Sequence, residues 1–184
     1  MCSNIKKDYH RYEPSKNIFV NLGKIFHNPG IVFSFFYRIE RYLMYESNSV
    51  GRIIWLILYP GYFFFTYHIL SYHIEPNAKI GGWLFLHNRD IIITDNIEIW
   101  ENFSIMGQTT IGTGFLRSGK ITIWDNVFVW AWAKIIASSD ISIESWIWIG
   151  ANAVVVEDLD IENGVYVGIP AKFIKTNNNA WNNL

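Results

Sequence analysis

The sequence contains a single cysteine, Cys2, among 184 residues. It cannot close an internal disulfide or hold a thiol metal cluster, and this usage suits a reducing, intracellular compartment. Charge is also scarce. Charged residues make up 17% of the chain, the formal net charge is −1 and no dense basic patch occurs. That excludes the electrostatic footprint of a nucleic-acid-binding protein. No apolar run follows Met1-Cys2-Ser3-Asn4-Ile5-Lys6-Lys7-Asp8, so no secretory signal is expected and the expected location is cytoplasmic. What the chain does have is apolar surface to bury. Half of its residues are hydrophobic, enough for a true core and incompatible with disorder.

One stretch lacks charge altogether. Ile53 to Leu70 contains no Asp, Glu, Lys or Arg, and its 18 residues approach the ~20 needed to span a bilayer. Pro60-Gly61 interrupts it. Two readings stay open: a pair of short apolar helices packed on the protein or on a partner subunit, or a peripheral membrane contact.

The chain changes character near residue 75. Ile31 to Tyr45 carries apolar residues at helical spacing, with Asn28-Pro29 as a helix start. Beyond residue 75 a period of six replaces the helical one. It runs Ile93, Ile99, Ile105, Ile111, Arg117, Ile123, Val129, Ile135, Ile141, then shifts by two to Ile143, Ile149, Val155, Ile161, Val167; Ile80 and Leu86 begin it one residue out of phase. The fifth position of each hexad is also apolar or small, as at Ile97, Phe103, Val127 and Ala153. That period predicts a left-handed parallel β-helix with hexapeptide repeats, each hexad supplying one flat side and a turn. The expected organisation is a helical segment over 1–74, the β-helix over 75–175 and a tail over 176–184.

Fourth positions carry Asn96, Asn102, Asn126 and Asn152, and second positions Gly81, Gly112, Gly150 and Gly168. Both residue types suit left-handed corners. Six tryptophans intrude there: Trp100, Trp124 and Trp130 at second positions, Trp83, Trp132 and Trp146 at fourth. A bulky side chain at positive φ costs free energy. Either the corners tolerate tryptophan, or these codons are UGA read as glycine; the coding DNA decides.

With that frame in place, the chain resembles the serine acetyltransferase branch of the hexapeptide acyltransferases over roughly residues 28 to 175. The resemblance rests on Pro76-Asn77-Ala78-Lys79-Ile80-Gly81, Leu84-Phe85-Leu86-His87-Asn88, Thr110-Ile111-Gly112-Thr113-Gly114, Val129-Trp130-Ala131-Trp132-Ala133-Lys134-Ile135, Ile149-Gly150-Ala151-Asn152-Ala153 and the closing Gly168-Ile169-Pro170-Ala171-Lys172. It implies a homotrimer with active sites between neighbouring β-helices and acetyl-CoA as acyl donor. It also implies His87 as general base, taking the proton of an acceptor hydroxyl. By the same resemblance Arg117 would hold a substrate carboxylate, Gly112, Ala133, Lys134 and Ala151 would approach the pantetheine arm, and Lys172 a phosphate. Leu86 stands before His87 where those enzymes carry Asp, and Ser118 stands where they carry a second His. The carboxylate that orients their base has no direct match, and Glu75 or Asp90 are the substitutes. L-serine is the first candidate acceptor and a sugar hydroxyl of a surface polysaccharide the second. A metalloenzyme of the carbonic anhydrase type would need three His ligands where the repeat offers one, so no metal is expected. A non-catalytic β-helix scaffold is the alternative outside catalysis.

Overall fold

The computed structural model describes residues 1–12, 14, 15, 17–113 and 119–177. The helical segment comprises α1 (Cys2–Arg11), α2 (Ile18–His27), α3 (Pro29–Arg41) and α4 (Ser49–Phe63). Asn28 caps α3 by accepting from the Gly30 N–H, with Pro29 in its first turn, as the dipeptide predicts. The charge-free stretch departs from expectation. Pro60 lies inside α4, which runs on through a wider π-helical turn, Phe64–Leu70, as one continuous helix. Proline removes one main-chain donor, and at this exposed site the helix absorbs the loss without breaking.

From Tyr72 the chain winds into a parallel solenoid. Its first coil is β1 (Tyr72–Ile74), β2 (Lys79–Ile80) and β3 (Phe85–Leu86); the second is β4 (Ile91–Ile93), β5 (Ile97–Ile99) and β6 (Ser104–Ile105). The third is β7 (Thr110–Thr113), β8 (Ile121–Ile123) and β9 (Phe128–Val129), and the fourth β10 (Lys134–Ala137), β11 (Ile141–Ile143) and β12 (Trp148–Ile149). A shortened fifth has β13 (Val154–Val155), a single bridge from Leu159 to Ile143, and β14 (Gly164–Val167). Stacking makes three parallel sheets, and β15 (Lys172–Thr176) closes the third by pairing antiparallel to β14. Strands this short are stable only against the coil above and below.

The six-step ladder forms the core. Ile93, Ile99, Ile105, Ile111, Ile123, Val129, Ile135, Ile143, Ile149 and Val155 are buried, and so are the fifth-position Ile97, Phe103, Val127, Ile147 and Ala153. Arg117 lies outside the described residues. The ladder drifts out of phase at its end: Leu159 and Tyr166 fill the last coil, whereas Ile161 is 39% exposed. The cause is the missing second strand of that coil, which shortens its path around the core.

Positive φ concentrates at the corners. Trp83, Asn102, Asn126, Trp146 and Asn163 form one left-handed column, and Asp90, Gln108, Trp132 and Asn152 another. The tryptophans divide accordingly. Those at fourth positions have φ of 65°, 69° and 64°; Trp100, Trp124 and Trp130 do not have positive φ, and Trp100 stacks on Trp124 with centroids 4.9 Å apart. Second-position Gly81 likewise answers to space rather than to φ, since a Cβ there would sit 2.6 Å from the Trp100 carbonyl oxygen. Backbone strain therefore favours glycine at Trp83, Trp132 and Trp146 alone. Trp132 is 56% exposed and has little packing to lose, so Trp132→Gly is expected to stabilise the protein by up to about 1 kcal/mol. Urea unfolding checks this; a destabilised variant contradicts it.

The open end of the first coil is capped by the helices. Arg38 donates to the carbonyls of Ile80 and Gly81, Tyr37 to Ala78, and Arg41 to Pro76 (2.9 Å) and Ala78 (3.1 Å). Asp8 of α1 is ion-paired with Arg38 at 2.9 Å, both nearly fully buried, and accepts from the Leu84 N–H at 2.9 Å. Without this cap, first-coil carbonyls would face no strand and no donor.

Candidate functional site

His87 follows β3 on the third sheet. Alternation turns Leu86 into the core and leaves Phe85 and His87 on the outer face. The His87 N–H is fixed to the Ile105 carbonyl at 3.0 Å. Its ring lies 4.2 Å from Phe85 at 90° and 5.4 Å from Phe128 at 62°. The helices roof this spot. Tyr12 accepts from the Leu86 N–H at 2.9 Å and packs on Phe85 at 4.3 Å. Helix α3 approaches so closely that a Cβ on Gly30 would sit 2.4 Å from the Leu86 carbonyl oxygen. Between roof and sheet is a cavity of about 500 Å³, lined by Arg11, Lys24, His27, Phe85, His87 and Phe128 among others.

Two features make His87 chemically distinct. Its Nε2 is buried with no hydrogen-bond partner among the described residues, an arrangement that costs free energy unless something else supplies the partner. Its pKa is lowered to about 4, first by burial and then by the Arg11 cation, so at neutral pH the imidazole is unprotonated. Because the folded state resists protonation, this group's contribution to stability is present above about pH 6.5 and is lost as pH falls towards 4.

The other expected residues scatter. Asp90 is exposed three positions beyond His87, at φ 62°, its N–H bonded to the Ser71 carbonyl at 2.8 Å. Leu86 to Ile93 is one residue longer than a hexad, and the extra residue is housed in this corner. Glu75 is exposed and lines a different cavity of about 350 Å³, with Glu40, Trp55, Tyr59 and Tyr67. Neither carboxylate lines the His87 cavity. Arg117 lies outside the described residues. Ala133 is wholly buried and faces the core. Gly112 sits in β7 opposite Ile136 of β10. Lys134 donates to the Gln108 carbonyl and the Thr110 hydroxyl, each at 3.1 Å. Lys172 is ion-paired with Glu157.

Ala151 does share a corner with the histidine. Arg89, Gly107, Ala131 and Ala151 stack there in successive coils, linked through the N–H groups of Gln108, Trp132 and Asn152. The N–H groups of Gly107, Ala131 and Ala151 have no partner among the described residues. With coils about 4.8 Å apart, the corner runs about 19 Å from His87 to Gly168. Sequence reasoning missed Arg11, Tyr12, Phe85 and Phe128. Phe85 stands inside the Leu84-Phe85-Leu86-His87-Asn88 segment, where only His87 drew a role; the other three belong to no motif, and Arg11 and Tyr12 reach the site only through the packing of α1 and its C-terminal cap on the first coil.

No protein-family model matches the chain, and no curated protein matches it in sequence. Solved structures do. The Neisseria gonorrhoeae serine acetyltransferase in complex with serine superposes with a TM-score of 0.75 at 22% identity, covering 95% of this chain and 69% of that one. The fold is that of the serine acetyltransferases. The soybean serine acetyltransferase apoenzyme gives 0.76 at 22% identity, covering 94% and 68%, and a serine acetyltransferase complex with CoA gives 0.65 at 22%, covering 93% and 66%. The chain thus spans about two thirds of the length of these serine acetyltransferases, and the likeness includes the helical segment as well as the solenoid.

Proposed function

We propose that this protein is an acetyl-CoA-dependent O-acetyltransferase that works as a homotrimer. The observation carrying the reading is the His87 Nε2, buried and unpartnered in a cavity at the foot of a corner with unpaired N–H groups. The acceptor hydroxyl gives its proton to Nε2 as its oxygen attacks the thioester carbonyl. The C–S bond then breaks, the imidazolium returns the proton to the leaving sulfur, and an O-acetyl ester and CoA result. Backbone N–H donors of the corner are suited to the oxyanion and to pantetheine amides. A neighbouring subunit closes the groove.

L-serine is the first candidate acceptor, supported by the solved relative with serine bound. A sugar hydroxyl is the second reading, favoured by the aromatic rings of Phe85 and Phe128 against His87, which suit an apolar sugar face better than a small zwitterion. Thiol release from acetyl-CoA with serine and with a sugar panel separates them. Turnover on serine supports the first and turnover on sugars alone the second. No release with any acceptor, while the trimer is intact and folded, leaves the scaffold reading.

The lowered His87 pKa sets a pH dependence. The unprotonated base persists into acid, so kcat/KM is expected to hold from pH 7 downward and to fall only near the pKa of about 4. An acid limb at 6.5 or above would show instead that a charge from another subunit raises this histidine.

A further inference from the structure

We propose that the outer arc of α4 lies in the interfacial plane of a lipid bilayer, anchoring the protein to a membrane surface. Ser49–Leu70 is one helix of 22 residues, about 33 Å long, and by length and composition it could cross a membrane. Its packing argues for lying flat instead. Gly51, Trp55, Thr66 and Leu70 are buried along one side, and at Leu70 the helix leads directly into the solenoid. Lipid therefore cannot surround it.

The opposite side has no cover. Ile53, Ile54, Leu56, Ile57, Leu58 and Phe64 are all exposed, Leu56 by 76% and Ile57 by 74%. At 100° per residue these side chains and their neighbours sweep roughly 200° of the helix circumference. From Ile53 to Leu70 no charged residue interrupts them. A subunit interface as a rule mixes apolar with polar groups, with roughly a third or more of its area polar. An arc that is wide, charge-free and backed by protein matches a helix sunk to the headgroup–acyl boundary. The inference stands apart from the catalytic reading, because no residue of the His87 cavity takes part.

Flotation of the full-length protein with phosphatidylcholine vesicles tests it. The wild type is expected to float with the vesicles and to remain bound in high salt, since the arc is uncharged. The double variant Leu56→Glu/Ile57→Glu should lower the bound fraction tenfold or more. Its thermal unfolding should be unchanged, because both side chains are already in the open. Sedimentation in the absence of lipid supplies the opposing outcome. If the wild type does not float, or if the variant floats equally well, the inference fails. A wild-type assembly that the double variant reduces to smaller species would assign the face to a second copy of the chain, and that too overturns it.

Discussion

Replacing His87 with alanine is expected to slow acetyl transfer by 10²- to 10⁴-fold, roughly the contribution of a positioned general base. The folded state should survive. His87 is half-buried on the outer face of the third sheet, and its backbone bond to Ile105 does not use the side chain. Removing it also removes a buried nitrogen without a partner, so stability should hold or rise slightly. The measurement is thiol release alongside urea unfolding. A large loss in kcat with unchanged unfolding assigns the proton transfer to His87. Unchanged transfer removes it from the mechanism.

The second large effect is structural. Arg38→Met should destabilise the protein by about 3–5 kcal/mol, a large share of the ~5–15 kcal/mol typical of a folded domain. The change strands the Asp8 carboxylate in the interior. Burial already pushes the Asp8 pKa up, and the Arg38 cation and its hydrogen bond offset that push. The carbonyls of Ile80 and Gly81 lose their donor as well. In the double variant Asp8→Leu/Arg38→Met the orphaned charge is gone, so the loss should be smaller than for Arg38→Met alone. Urea midpoints of the three proteins decide. Equal losses in the single and double variants would mean that the Arg38 hydrogen bonds to the carbonyls, not the charge, carry the cap.

The solenoid was legible because it repeats. A side chain that must face the core once per flat side leaves a six-residue trace, and Ile93 to Val155 follow it. The corners were legible in part, since Asn marks positive φ by its chemistry while Trp83, Trp132 and Trp146 do not. The failures have local causes. The ladder drifts after Val155 because the fifth coil lacks a second strand, which hexad spacing cannot foretell. Glu75 is a substitute for the base-orienting carboxylate only through the family resemblance, which offers no direct match for that group. Two of the three sides of the first coil separate it from His87, which puts Glu75 beside Glu40 and Trp55. The cap and the cavity were illegible for another reason. Asp8 and Arg38 are 30 residues apart, and Arg38 meets carbonyls 42 and 43 residues further on. No local pattern records such a pairing, and Arg11 and Tyr12 reach the His87 site by the same long-range packing.

A crystal structure of the protein grown with CoA shows where the acyl donor lies relative to His87. The pantetheine arm is expected along the corner of Gly107, Ala131 and Ala151, its amides on those N–H groups, and its sulfur beside the His87 Nε2. CoA bound elsewhere on the solenoid, with Nε2 still unpartnered, would contradict the acetyl-transfer reading.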